Sequence, residues 1–157
     1  MQSWCWPLLL FLLSTVLVGV LGPALFGKEA SSASFTLRLD IPSEVQAGEP
    51  LLLRMAYKNL GYRPVQLTLG GRPAYDFIVA TPEGAEVWRW THGAKILQIL
   101  EVKLLRPKGE LQFTAEWNLV DNNGALVAPG IYLVHGILRL EPPQQIETDL
   151  TRLVISP

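Results

Sequence analysis

Tyr75–Trp90 reads YDFIVATPEGAEVWRW, two short alternating arms around a reversal, and the fold class follows from it. In the first arm Tyr75, Phe77 and Val79 share one face while Asp76, Ile78 and Ala80 share the other, the period of two that a strand imposes. Thr81-Pro82-Glu83-Gly84 carries Pro second and Gly fourth, the placement that suits a type I turn because Pro supplies the φ needed there. In the returning arm Trp88 and Trp90 fall on one side and Arg89 on the other. Two large indoles directed to one side of a strand fill a core.

Outward from this hairpin the same period repeats. Phe35, Leu37, Leu39 and Ile41 alternate with polar residues up to Pro42. Leu51–Lys58 follows the Ala47-Gly48 turn, and Val65, Leu67 and Leu69 follow Gly61-Tyr62-Arg63-Pro64. Ile96–Leu105 is apolar on both faces, which predicts a strand in the middle of a sheet. Leu111, Phe113, Ala115, Trp117 and Leu119 alternate cleanly with Gln112, Thr114, Glu116 and Asn118 before Asp121-Asn122-Asn123-Gly124, whose Asn-Gly pair favours a tight reversal with positive φ. Ile131–Leu140 follows Pro129-Gly130, and a last strand runs over Thr148–Ile155. No stretch holds helical periodicity over three turns. The expected fold is all-β, an antiparallel immunoglobulin-like β-sandwich, preceded by an N-terminal apolar helix serving as signal peptide or anchor.

The chain has 157 residues, with no charged side chain before Lys28. An uncharged apolar run covers Pro7–Phe26, the length of a signal h-region and just enough to span a bilayer. Ser31-Ser32-Ala33 offers a small-x-small cleavage site, yet no Lys or Arg precedes the run, so a cleaved leader and a retained anchor both stay open. The expected organisation is residues 1–33 as signal peptide or membrane anchor and residues 34–157 as one domain, placed outside the cytoplasm. The one cysteine, Cys5, lies in the leader, so disulfides, thiolate catalysis and thiolate metal sites are excluded from the domain. With a net charge of −1 and signs interspersed, no basic stripe for nucleic acid is present.

The order of YDF, VWRW, Gln98, a Pro-Lys-Gly-Glu turn, EWNLVDNNG and VAPGIYLVHG resembles the BsuPI-type intracellular proteinase inhibitor family, single immunoglobulin-like β domains, over about Leu51–Gly136. Two departures stand out. Lys108 is an extra residue inside the Pro107–Glu110 turn, and Ala94-Lys95-Ile96-Leu97-Gln98 lacks the Phe-Thr usually found before that Gln. The resemblance implies a protein-binding domain whose partner is a protease, with a serine protease the first class to try. On an exported chain that protease would lie outside the cytoplasm.

The residue inventory argues against an enzyme. The expected domain holds His92 and His135 and only Ser34, Ser43 and Ser156 as serines, too little for a Ser-His-acid constellation. His92 reads as an exposed turn residue and His135 as a core or edge residue, without a second histidine nearby for metal. Asp121–Gly124 lacks the alternating ligands and distal Glu of a calcium loop. Glu101, Glu110 and Glu116 fall on solvent-side positions and form no carboxylate pair. No cofactor is expected.

Recognition by a surface is what remains. The leading reading is a proteinase inhibitor; the others are a non-inhibitory adhesion or assembly module of the cell envelope and, behind it, a carbohydrate-binding module using exposed Trp. The candidate contact segment is Arg89, Trp90, Thr91, His92 and Lys95, since RWTHGAK combines cations, an amphipathic aromatic and a Gly in the mixture recognition loops use. The plain alternative is a solvated connection between strands. Gly61–Pro64 and the Asp121–Pro129 connection are the next candidates.

Overall fold

The computed structural model describes residues 34–157, so the expectations for the leader lie outside the described residues. In chain order the strands are β1 (Phe35–Asp40), β2 (Glu44–Gln46), β3 (Leu51–Asn59), β4 (Val65–Arg72), β5 (Tyr75–Ala80), β6 (Glu86–Arg89), β7 (Leu97–Leu105), β8 (Glu110–Trp117), β9 (Gly130–Leu140), β10 (Gln144–Glu147) and β11 (Thr151–Ser156). No helix occurs among the described residues. The fold is the expected antiparallel immunoglobulin-like sandwich.

One sheet is β1-β3-β8. The other centres on β9, which takes β11 and then β10 along one side and β5 along the other. β6 pairs with β5, the short β2 runs parallel to β11, and the β4-β7 pair joins β9 through Leu69 and Leu140.

The alternation read from sequence decides which side chains meet between the sheets. Leu51, Leu53, Met55 and Tyr57 of β3 and Phe113, Ala115 and Trp117 of β8 close onto Phe77, Val79, Val134, Leu138, Leu153 and Ile155. Trp117 is wholly buried; its ring lies 5.6 Å from that of Trp88 and 6.4 Å from that of Tyr132. Its indole N–H donates to the Val120 carbonyl at 2.7 Å, giving the one polar atom of a buried indole its partner. At Gly136 any Cβ would stand 2.5 Å from Met55 Sδ, so the two sheets approach there only because the residue is glycine.

Turn chemistry holds as read. The Gly84 N–H donates to the Thr81 carbonyl at 2.9 Å and closes the hairpin. Gly124 N–H donates to the Asp121 carbonyl at 3.0 Å, with φ +84° at Gly124. Lys108, the extra residue of the β7–β8 turn, adopts φ +60° and holds its ammonium 4.2 Å from the centre of the Tyr62 ring, where it also donates to the Leu60 carbonyl.

Two elements differ from the sequence reading. β5 is buried on both faces, Asp76, Ile78 and Ala80 included; over Asp76 the cover is supplied by Arg89, Thr91 and Arg139, which bond to its carboxylate. Ile96–Leu105, expected mid-sheet, instead forms an edge strand: among the described residues β7 pairs with β4 alone. Its apolar residues Leu97, Ile99, Leu100, Val102 and Leu104 are exposed. Two-sided apolarity reports strand faces that lack polar groups, and it cannot tell a covered strand from one whose cover is another molecule.

Truncating Trp117 to Ala leaves a cavity where three rings meet and should cost about 3 to 5 kcal/mol. A denaturation midpoint matching the parent's would show that Trp117 does not organise the core.

Candidate functional site

The candidate segment begins where β6 ends, and a buried carboxylate governs its shape. Asp76 is inaccessible to solvent. Its Oδ1 accepts the backbone N–H groups of Phe77 at 3.0 Å and Thr91 at 3.1 Å. Its Oδ2 accepts the Thr91 hydroxyl at 2.6 Å, Arg89 Nη1 at 2.9 Å and Arg139 Nη2 at 3.2 Å. Arg139 also donates through Nη1 to the carbonyls of Pro73 and Tyr75. A buried carboxylate is tolerated only when its lone pairs are met by donors and opposite charge, and both conditions hold here.

Arg89 is therefore part of the framework. Its guanidinium is shared between Asp76 and Glu86, with Nη2 2.9 Å from Glu86 Oε2. Asn122, from the Asp121–Gly124 turn, accepts the Arg89 backbone N–H at 2.9 Å and donates to Glu86 Oε1 at 3.0 Å, docking that turn on β6. Donation from Arg89 holds the Glu86 carboxyl below its ordinary range, with Asn122 adding to the effect. The Asp121 carboxylate accepts the backbone N–H groups of Ala125 and Asn123, which lower its pKa; its role is to shape the turn.

Trp90 is half-buried, its ring stacked on that of Tyr75 at 4.6 Å and 15°. The Trp90 backbone N–H donates to the Phe77 carbonyl at 3.0 Å. Thr91 is buried. Beyond it the chain makes two successive turns, His92 N–H to the Arg89 carbonyl and Ala94 N–H to the Thr91 carbonyl, each at 3.0 Å, with Gly93 at φ +70°. His92, Gly93, Ala94 and Lys95 are exposed. Lys95 makes no ion pair or side-chain hydrogen bond among the described residues. An open depression of about 370 Å³ beside them is lined by Arg72, Pro73, Trp90, Thr91 and Ala94.

The five residues of the candidate segment thus divide. Arg89, Trp90 and Thr91 are anchors, while His92 and Lys95 are presented. Asp76 and Arg139, on which the anchoring depends, were not singled out by the sequence. The available signal was an Asp in the apolar arm of the hairpin and an Arg at the end of an apolar strand.

Elsewhere the site options thin out. Among the described residues Trp88 and Trp90 are half-buried and Trp117 is buried. Tyr62 is 87% exposed, but its loop is fixed from below by buried Asn59, which donates to the carbonyls of Arg63, Leu105 and Arg106 and accepts the Gly61 N–H. No group of three or more His, Cys, Asp or Glu side chains suited to a metal occurs among the described residues.

The sequence matches the family described as BsuPI, intracellular proteinase inhibitor, over residues 39–143. The chain belongs to this family. That description does not support the extracytoplasmic setting expected from the leader. No curated protein matches the chain in sequence. Similar solved structures include the CARDB domain of the PF1109 protein from Pyrococcus furiosus, at 16% identity over 78% of this chain and 87% of that one, with a TM-score of 0.42. The C-terminal domain of wzt gives 9% identity over 79% and 74%, with a TM-score of 0.46. The Pseudomonas fluorescens alkylpurine DNA glycosylase AlkC gives 14% over 80% of this chain but only 31% of its own, with a TM-score of 0.45.

Replacing Asp76 by Ala leaves two guanidinium groups and the Thr91 donors without their acceptor and should cost about 3 to 5 kcal/mol, the range for removing one partner of a buried ion pair. Lys95→Ala should stay within about 0.5 kcal/mol of the parent. Equal denaturation midpoints for the two variants would contradict the assignment of anchors.

Glu86 supplies a pH dependence of definite sign. Its folded pKa is lowered, so its contribution is present above the unfolded carboxylate range and is lost as pH falls through the folded value. Glu86→Gln should flatten the acid limb of a stability profile below that range while leaving its shape at neutral pH unchanged; an acid limb identical to the parent's would refute the pairing.

Proposed function

We propose that this chain is a proteinase inhibitor whose contact segment is His92–Lys95, held in shape by the Asp76 network and presented to a protease cleft. The observation carrying the proposal is the division of the segment into three fixed residues and an exposed tip. A loop ordered before binding loses little conformational entropy on docking and can hold a strained or extended contact without being drawn into a productive geometry. Membership of an inhibitor family supports the class of activity. Lys95, exposed and without an ion pair among the described residues, is the side chain suited to a specificity pocket that accepts a cation; Arg89 is too firmly paired to be withdrawn. A serine protease is the partner class proposed.

The uncharged run Pro7–Phe26 supports the further proposal that the chain is exported and that its target protease lies outside the cytoplasm, with membrane contact only through the N-terminal segment if that is retained. A second reading, an assembly module of the cell envelope, is favoured by the exposed apolar residues of β7.

The test is a panel of extracytoplasmic and cytoplasmic serine proteases assayed with the full-length chain, with Lys95→Ala and His92→Ala beside it. Inhibition of at least one protease is expected, weakened by more than about 2 kcal/mol in Lys95→Ala if that residue is the anchor. Absence of inhibition across the panel would contradict the activity; inhibition unaffected by either variant would move the contact to Gly61–Pro64 or Asp121–Pro129.

A further inference from the structure

β7 combines three features that bear on one another. Its row Leu100, Val102 and Leu104 is 62%, 58% and 71% exposed, an unusual concentration of apolar surface on one strand. Among the described residues its far edge has no strand partner. Its opposite face carries Glu101 and Lys103, paired to each other through Oε1 and Nζ at 2.5 Å.

The direction of its free backbone groups follows from its neighbour. Thr68 of β4 faces Val102, and the Thr68 carbonyl accepts the Glu141 N–H at 2.8 Å from the side away from β7. In an antiparallel ladder the N–H and C=O of one residue point to the same side, so Thr68 and Val102 share no hydrogen bonds, and the N–H and C=O of Val102 point to the open edge. By alternation those of Leu100 and Leu104 do as well. The residues with free backbone groups are thus the same ones that form the apolar row.

We propose that β7 pairs antiparallel with β7 of a second copy of this chain about a two-fold axis through Val102. In that register Val102 meets Val102 as a hydrogen-bonded pair and Leu100 meets Leu104, giving one continuous apolar surface across both copies. Glu101 of each copy stands opposite Lys103 of the other. An inward-facing charge on an edge strand normally blocks further pairing; here the two opposite charges flank the axis, so pairing in this one register turns them into favourable cross-strand pairs. A shift by two residues one way sets Lys103 against Ile99 and Glu101 against Glu101, and the other way sets Lys103 against Lys103 and Glu101 against Leu105; either forfeits the match. Such an interface is isologous and closes at two copies.

Light scattering and sedimentation of the full-length chain in mild detergent test the proposal, with three variants. Val102→Pro removes only an N–H directed to the open edge, so the β4-β7 ladder keeps its bonds. Lys103→Glu sets like charges opposite each other, and Glu101→Lys with Lys103→Glu restores the match with signs exchanged. The parent should be dimeric. Val102→Pro and Lys103→Glu should each raise the dissociation constant about tenfold or more with the strand signal in circular dichroism unchanged, and the double exchange should recover the dimer. A monomeric parent at high concentration overturns the proposal and leaves the edge for a strand of another protein. A dimer equally strong in all variants overturns it too, by placing the contact elsewhere.

Discussion

One carboxylate sets the local architecture of the second sheet. Asp76 sits on β5, yet its oxygens are satisfied from β6 through Arg89, from the connection after β6 through Thr91, and from β9 through Arg139, which lies 63 residues away in sequence. Buried ion pairs contribute little net stability, since desolvation offsets most of the attraction, but an unpaired member is severely penalised. The consequence is positional. Any arrangement that moves β6 away from β5 or turns the Arg89–Thr91 segment outward strands a charge in the interior, so the network selects one conformation of the hairpin and of the loop that follows.

That constraint explains how a scaffold built on apolar packing can carry a defined surface feature. The Trp88–Trp117 contact and the Trp90–Tyr75 stack fix one side of β6, and the Asp76 network together with Asn122 fixes the other. The chain leaves this clamp at Thr91 and returns to a strand at Leu97, so only a few residues are free to meet another molecule. Fixing both ends of a short loop is the structural form of preorganisation. At the opposite end of β7, Asn59 and Lys108 fix the Gly61–Pro64 loop by comparable means.

Much of this fold was legible in the sequence because period-two alternation and turn chemistry are local. Phe77, Val79, Phe113, Trp117, Tyr132 and Val134 are buried as their alternation implies, and Trp88 is half-buried against Trp117. Thr81–Gly84 and Asp121–Gly124 reverse the chain through the residues that turns require. What was not legible depends on partners distant in sequence. Asp76 occupies a position that alternation assigns to an outer face, and it is covered there by Arg89, Thr91 and Arg139, the last of them from far along the chain. The length of β2 and β10, three and four residues, gives too few alternations to register. Ile96–Leu105 carried the pattern of a covered strand, whereas its position in the chain order of the sheet leaves it at an edge. For the candidate segment the composition located the loop, while the separation of anchoring residues from presented ones required the hydrogen bonds.

The central claim is that the buried carboxylate anchors the candidate loop at Thr91, from which the short exposed tip His92–Lys95 is presented. Amide hydrogen exchange of the folded chain, read residue by residue, tests this most directly. The account predicts that the Thr91 amide, which donates to Asp76 Oδ1 at 3.1 Å, exchanges as slowly as the Phe77 amide, through global unfolding, while the Gly93 and Lys95 amides exchange at rates close to those of open loops. A Thr91 amide that exchanges as fast as Gly93 would contradict it, since the loop would then open independently of the core and the Asp76 network would not be what holds it.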